Sequence, residues 1–307
     1  MRVVSLLPST TEILFGLGAG DDVVGVTFEC DHPAEARRRR VVSTSAMPEG
    51  LSPRQIDDFV KASLEQGDDL YHLQADALAE LDPDLVVTQD LCAVCAIDVT
   101  AVDEAIAYLG CRAEVLTFDP HTIDEVLASV VSVGDAVGRR DEAEALVESL
   151  RARLAAVADV VAGADRPRVL VLEWTDPPFA PGHWIPEMVI AAGGEPVLGV
   201  AGERSEQTTW DAAVAAAPDV VICAPCGYDL DGAAEQAAVV AEHFPGVPVW
   251  AVDANGSYAR PGPRVVDGVE ALAGILHPER VSQPDSVATR QMSGLMRRPP
   301  GSQRLGP

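Results

Sequence analysis

Lysine is almost missing from this chain. Lys61 is the only one, so arginine carries nearly all the positive charge, and 22 Lys and Arg stand against 48 Asp and Glu for a net charge of −26. A surface this negative repels nucleic acid and anionic membranes, which excludes both as partners. No apolar run approaches the roughly 20 residues that span a bilayer. The opening MRVVSLLPSTTEIL has one arginine, a short apolar run and then polar Ser9, Thr10 and Thr11, without a small-residue cleavage site, so it lacks a secretory layout. Met1 leads straight into a strand pattern, and the expectation is a cytoplasmic protein. In that compartment the six cysteines (Cys30, Cys92, Cys95, Cys111, Cys223, Cys226) are thiols, metal ligands or redox groups rather than structural disulfides. Also lacking are G-x-S-x-G, GxxxxGK[ST], HExxH and a GxGxxG after a strand, so no nucleophile elbow, phosphate cradle or zinc-protease helix is present. The expectation is a protein that is not an enzyme.

What is there is a globular composition. Hydrophobic residues make up 48% and charged residues 23% of 307 positions, enough for a real core and, at about 150 residues each, for two domains. Short β-branched runs at 3–7, 23–27, 85–88, 115–118, 169–172, 220–223 and 247–252 read as strands. Helical patterns at 10–17, 75–81, 99–109 and 210–217 fall between them, and this alternation predicts parallel α/β sheets.

One stretch breaks the alternation. From 122 to about 162 the residues are helix formers with apolar positions at helical spacing, Thr122 and Glu125 fit a capping box at its start, and Gly138 marks a kink or break. It reads as a spine between two lobes. The expected division is an N-terminal α/β lobe at 1–118, a linking backbone helix at 119–164, a C-terminal α/β lobe at 165–280 and a disordered, Pro-, Gly-, Ser- and Arg-rich tail at 281–307.

The two expected lobes echo each other. PSTTEILFGLGAGDDVVGV (8–26) follows strand VVSLL, and IPEMVIAAGGEPVLGV (185–200) follows VLVLEW. Both run Pro, Glu, an apolar turn ending in Gly, then a strand pattern ending Gly-Val. LAELDPDLVVTQDLCAVC (78–95) likewise matches WDAAVAAAPDVVICAPC (210–226): helix, Pro-Asp, buried strand, CxxC.

In parallel sheets ligands collect at the carboxyl ends of the strands. That rule selects the loops 8–11, 29–32, 88–95, 173–187, 223–228 and 254–260. Ser9 and Thr10 open a helix, where free N–H groups suit a polar ligand, and where either hydroxyl would equally serve as an N-cap. Glu12 is then a first-turn acid favoured by the dipole. Glu29 and Cys30 follow one strand; Gln89, Asp90, Cys92 and Cys95 follow another. Trp174 and Trp184 would wall a flat macrocycle, with His183 free to ligate a metal or hydrogen-bond the ligand, and Glu187 close by; packing beneath the lobe is the plain alternative. Tyr258 and Arg260 complete the set, Arg260 suited to a carboxylate, amide or phosphate. Cys30, Cys92, Cys95 and Cys226 are the candidate metal ligands, for zinc or a softer metal, although Cys95 and Cys223 are too far apart for a zinc ribbon. Cys111 and Cys223 read as core thiols behaving as small hydrophobes.

The order SLLPSTTEILFGLG, VVGVTFECDHP, LDPDLVV, TFDPHTIDEV before a long helix, then VLVLEW, GHWIPEMVIAAGG and PDVVI resembles the cobalamin- and iron-siderophore-binding substrate-binding proteins of ABC importers, their cobalamin-binding branch most of all. The resemblance runs over roughly 3–278. It implies two similar α/β lobes with parallel sheets joined by a long backbone helix, a cobalamin-like corrinoid or other metal chelate held in a cleft between the lobes, a role in vitamin transport and an ABC permease as partner. Family members are normally exported or lipid-anchored, which sets the family against the cytoplasmic expectation. The alternative is a cytoplasmic metalloprotein or enzyme that grips Zn or Fe through Cys, His and carboxylates.

Overall fold

The computed structural model describes residues 1–89, 113–282 and 289–293. Packing divides the chain into two units, 1–155 with 260–266, and 156–259 with 267–307.

The first unit is built on a five-stranded parallel sheet. Its strands are β1 (Val3–Ser5), β2 (Val23–Val26), β3 (Arg40–Val41), β6 (Leu85–Gln89) and β7 (Glu114–Phe118), in the order β3-β2-β1-β6-β7. Two short strands, β4 (Ser43–Ser45) and β5 (Tyr71–Leu73), pair antiparallel beside it. Val3, Val4, Val86 and Val87 are fully buried, as expected of a parallel sheet covered on both faces by crossover helices. Those helices are α1 (Pro8–Gly16), α2 (Pro53–Gln66) and α3 (Ala75–Leu81). The predicted helix at 99–109 lies outside the described residues.

The expected spine is two helices, α4 (Ile123–Ala136) and α5 (Arg140–Val161). Thr122 and Glu125 do form the reciprocal capping box at the start of α4. The helical stretch breaks at Gly138, where a kink or break was expected; its φ of +68° is left-handed, a conformation glycine adopts without a Cβ penalty. Arg139 then donates its N–H to Gly134 O at 2.6 Å, closing the turn between the two helices.

The second unit repeats the plan. Its main sheet runs β11-β8-β13-β14-β15, from β8 (Arg168–Leu172), β11 (Glu195–Pro196), β13 (Val220–Cys223), β14 (Val249–Val252) and β15 (Thr289–Ser293). A small antiparallel sheet carries β9 (Trp174–Thr175), β10 (Pro178–Ala180) and β12 (Glu206–Gln207). Its helices are α6 (Ile185–Ala191), α7 (Trp210–Ala215), α8 (Leu230–His243), α9 (Ala254–Ser257) and α10 (Val265–Leu276), the last beginning in the first unit. Thr289–Ser293 falls within the tail expected to be disordered. It instead pairs antiparallel with β14, and Met292 packs against the buried cluster of Leu170, Leu172 and Val249, so apolar burial and a ladder offset its chain entropy.

The echo in the sequence is an echo in topology. In each unit the first strand sits inside, the second pairs on one side, and the next two follow on the other: β2-β1-β6-β7 and β11-β8-β13-β14. The Pro-Asp steps occupy matching positions. Asp84 accepts the Arg2 N–H at 2.7 Å and returns its own N–H to Arg2 O at 2.8 Å; Asp219 accepts the Arg168 N–H at 2.8 Å and returns its own to Arg168 O at 2.8 Å. The residue before each proline, Asp82 or Ala217, is left-handed (φ +39° and +47°), the conformation that commonly ends a helix. Each aspartate thus staples the start of its unit's first strand to the start of the next.

Removing either clip therefore weakens the same kind of joint. Asp84→Ala and Asp219→Ala are each expected to lower stability by about 1 kcal/mol, with the double variant near the sum, measured by urea unfolding. A cost indistinguishable from zero at both sites would show that the duplicated contact is idle.

Candidate functional site

In the first unit the site grows from the turn between β1 and α1. The N-cap of α1 is Leu7, extended at φ −135° and ψ 131°, with no side-chain cap, and Pro8 occupies the first helical position, where its missing N–H costs nothing. The expectation that Ser9 or Thr10 caps the helix is corrected accordingly. Both lie in the first turn, before any intrahelical N–H bond is required, and line a small cleft with Leu7, Ile13, Phe118, Pro120, Ser129 and Pro261. Thr11 donates its hydroxyl to Ser5 Oγ at 2.9 Å and sits 3.0 Å from Cys30 Sγ. Burial pushes the Cys30 thiol up to about 12, against hydrogen bonds from Thr11 and Thr27, so this sulfur stays protonated at neutral pH.

Beside this turn lies a buried ion network that spacing alone did not reveal. Glu12, 4% exposed at its side chain, accepts two bonds from Arg264, Nε to Oε2 at 2.8 Å and Nη2 to Oε1. Arg260 Nη1 bonds Asp31 and lies 3.4 Å from Glu12, while its Nη2 donates to Glu29 O at 3.1 Å. Burial raises the Glu29 carboxyl above the ordinary range, with Arg260 partly opposing it. Burial also works against ionisation of Asp31, but the Arg260 hydrogen bond and charge, with Arg37, outweigh it and hold this carboxyl low. Arg260 in turn is held charged by Asp31, Glu12 and Glu29 against its own burial. The structure thus brings Glu29, Cys30 and Arg260 to the same end of the sheet as Ser9 and Thr10. The signal for Glu12 was present in its fixed offset from Pro8, but only the fold reveals Arg264 as its partner, 252 residues away.

Gln89 ends β6. Asp90, Cys92 and Cys95 lie outside the described residues, as does Cys111.

In the second unit the loop after β8 is drawn together by Glu173. Its Oε1 accepts the Gly182 N–H at 2.8 Å, and Ser205 adds a side-chain hydrogen bond. Burial, opposed by those two bonds, pushes this carboxyl up to about 7. His183 donates its N–H to Glu203 O at 2.6 Å and accepts the Gly202 N–H at 3.0 Å, which holds it left-handed at φ +50°. Gly182 is required here, since a Cβ would lie 2.2 Å from Ser205 N.

The two tryptophans expected to form one wall go to different neighbours. Trp184, 4% exposed, is the N-cap of α6 and donates its indole N–H to Tyr258 O at 2.8 Å; its ring lies 5.7 Å from that of His183. Tyr258 has no exposed surface, and burial raises its hydroxyl well above the ordinary range. These two belong to the packed interior, which corrects the reading of both as open contact residues. Trp174 pairs instead with Tyr228, ring centroids 5.8 Å apart. Glu187 stands in the first turn of α6, where the helix dipole favours a carboxylate. Cys226 is exposed, its N–H bonded to Glu173 O at 3.0 Å, while Cys223 is buried in β13.

Among the described residues no group of three or more His, Cys, Asp or Glu is arranged to hold a metal ion. Cys30 and Cys226, both candidate ligands, accordingly stand outside any such group. Nor, among the described residues, is any helix long and apolar enough to cross a membrane.

Residues 3–254 match the periplasmic binding protein family, and the chain belongs to it. An ABC transporter substrate-binding lipoprotein of Bacillus subtilis, YvrC, is 27% identical over 296 residues, covering 91% of this chain and 80% of that protein. A cobalamin-binding protein of Halobacterium salinarum is 28% identical over 286 residues, covering 90% of this chain and 69% of its own length. Among solved structures, the periplasmic heme-binding protein BhuT in complex with two hemes is 25% identical, with a TM-score of 0.65 over 90% of this chain and 98% of that one. The family resemblance drawn from the sequence therefore holds, and so does the α/β class. Relatives of this kind are periplasmic proteins or lipoproteins, which overturns the expectation of a cytoplasmic protein; the alternative of a cytoplasmic enzyme finds no support. The family's members are binding proteins.

Two predictions follow from the electrostatics. Glu12→Gln keeps the shape of the side chain but strips Arg264 of its counter-charge, and is expected to cost about 3 kcal/mol in denaturant unfolding; a loss under about 0.5 kcal/mol would mean the network carries no weight. Glu173 behaves oppositely to an ion-paired acid. Its folded value, near 7 against an ordinary 4.5, means the native state binds the extra proton between those limits, so its contribution is complete below about 4.5 and is lost as pH rises through about 7. The melting temperature of wild type is thus expected to fall relative to Glu173→Gln across that window, and parallel pH profiles for the two proteins would refute the assignment.

Proposed function

We propose that this protein binds a cobalamin-like corrinoid and delivers it to the permease of an ABC importer. The observation that carries the proposal is the match to a cobalamin-binding protein along 286 residues, 90% of this chain. The chemistry of those loops agrees with it. A corrinoid offers a broad apolar macrocycle fringed with amides, and it needs aromatic area together with hydrogen-bond donors and acceptors. In the first unit, Ser9 and Thr10 in the first turn of α1, where they line the small cleft, supply polar partners for such amides, with Gln89 at the end of β6. In the second, Trp174 supplies aromatic surface, with His183 and Glu187 nearby. Binding and release are the whole task on this reading, with no bond made or broken.

A second reading is favoured by one observation, the likeness to a protein holding two hemes. Porphyrin and corrin share a flat metal-bearing ring, so the same aromatic surface would serve either. The distinction rests on the periphery: propionates on a porphyrin call for arginine, and Arg260 is already engaged by Asp31. The fringe of neutral amides on a corrinoid makes no such demand.

Titration of the purified protein with cyanocobalamin and, separately, with hemin tests the proposal, followed by the visible spectrum and tryptophan fluorescence. Saturable one-to-one binding of cyanocobalamin below micromolar concentration is expected. Binding of hemin alone would move the ligand to the porphyrins, and absence of cyanocobalamin binding in the micromolar range would overturn the corrinoid assignment.

A further inference from the structure

The aromatic pair in the second unit is more deliberately built than its sequence suggests. Trp174 follows directly on Glu173 at the carboxyl end of β8, and is fixed by the β9–β10 pairing opposite Phe179 and by its indole N–H to Asp176 O at 3.2 Å. Thr175 bonds Gln236 of α8 at 2.7 Å and so anchors the same strand to the helix. Tyr228 arrives from the next strand along, at the end of the turn that leaves β13. That turn is pinned at four points: Ala224 N–H to Leu172 O at 3.0 Å, Cys226 N–H to Glu173 O at 3.0 Å, Gly227 N–H to Asn255 Oδ1 at 3.1 Å, and Asn255 N–H back to Tyr228 O at 3.3 Å. Gly227 itself is left-handed at φ +86°, which reverses the chain so that the tyrosine follows at once. Beneath the ring lies Gly232 of α8; a Cβ there would stand 2.6 Å from Tyr228 Cδ1. The glycine is what lets the ring lie against the helix.

The result is two half-buried rings with centroids 5.8 Å apart and planes tilted by 52°, each keeping surface in contact with solvent. Neither ring belongs to the buried cluster of Leu170, Leu172, Val221 and Val249 or to the side chains packed against it. Aromatic residues held rigidly and only partly covered are typical of surfaces that bind flat apolar ligands, since little side-chain entropy is lost on binding.

We infer that Trp174 and Tyr228 together form the platform on which the second unit receives the face of a planar tetrapyrrole chelate, with Gly232 and Asn255 as the residues that position it. This rests on the reading that the protein binds such a chelate, and it assigns the contact to a pair in which Tyr228, not Trp184, partners Trp174. Corrin and porphyrin share the flat ring the platform would take, and the two titrations below separate them.

The test uses the full chain and four variants, Tyr228→Ala, Tyr228→Phe, Gly232→Ala and the double variant Gly232→Ala/Tyr228→Ala, each titrated with cyanocobalamin and with hemin. Tyr228→Ala is expected to weaken the bound chelate by about tenfold or more, and Tyr228→Phe by less than about threefold, because the ring and not the hydroxyl is used. Gly232→Ala is expected to weaken binding with its melting temperature unchanged. The double variant should bind no worse than Tyr228→Ala alone, since the glycine acts only through the ring. Wild-type affinity in Tyr228→Ala, or additive losses in the double variant, would overturn the platform while leaving the functional reading intact. Failure of wild type to bind either chelate would overturn that reading, and the platform with it.

Discussion

A pair of parallel strands cannot be joined by a tight turn, and the rest of this protein follows from that constraint. Each connection has to leave the carboxyl end of a strand, cross the face of the sheet through a helix and re-enter at the amino end. In both units this puts the variable loops at one edge and the rigid joints at the other. The joints are where Asp84 and Asp219 clip Arg2 and Arg168, identical contacts at matching topological positions. The loops are where Ser9, Thr10, Glu29 and Arg260 gather in the first unit, and Trp174, His183, Cys226 and Tyr228 in the second. Chemistry has been free to diverge at the loop edge because the opposite edge keeps each sheet in register.

The fold was legible because its signals are local. Fully apolar strand runs such as VVICA cannot be half-exposed strands, and the Pro-Asp steps before them mark chain entries that recur in both halves. The capping box at Thr122 and Glu125 was legible for the same reason, being written within four residues. Gly138 announced a kink or break, yet helix formers with apolar residues at helical spacing on both sides of it read as one spine. The tail misled through composition: Pro, Gly, Ser and Arg surround Thr289–Ser293, and the gain from pairing with β14 is invisible without β14.

The site was legible only in part, for a matching reason. Burial and partner choice are long-range quantities. Trp174 and Trp184 stand ten residues apart in one loop and look like a pair, but backbone geometry at His183 turns Trp184 inward to Tyr258 O, and the partner of Trp174 arrives from the turn after β13. Glu12 reads as an acid placed for the helix dipole, and that is true of its position. Its energetic role is set instead by Arg264, near the far end of the chain.

The two units meet the same difficulty, a carboxylate beneath a loop, with opposite electrostatics. In the first, Glu12 is flanked by two arginines delivered on the 260–266 segment, so an ion pair ties that segment to the acid. In the second, Glu173 has hydrogen bonds but, among the described residues, no ion pair, and burial is left to win: the carboxyl is pushed up to about 7 and its loop is bound by geometry more than by charge. The consequences differ in kind. An ion-paired acid ties distant parts of the chain together and tolerates salt poorly at its exposed rim, where Asp31 meets Arg37. An acid held by hydrogen bonds alone is indifferent to salt and sensitive to pH, and this one directly precedes Trp174 and accepts, at its backbone carbonyl, the Cys226 N–H of the turn that carries Tyr228. Conditions that alter the first unit's loops therefore need not alter the second's, although both descend from one architectural plan.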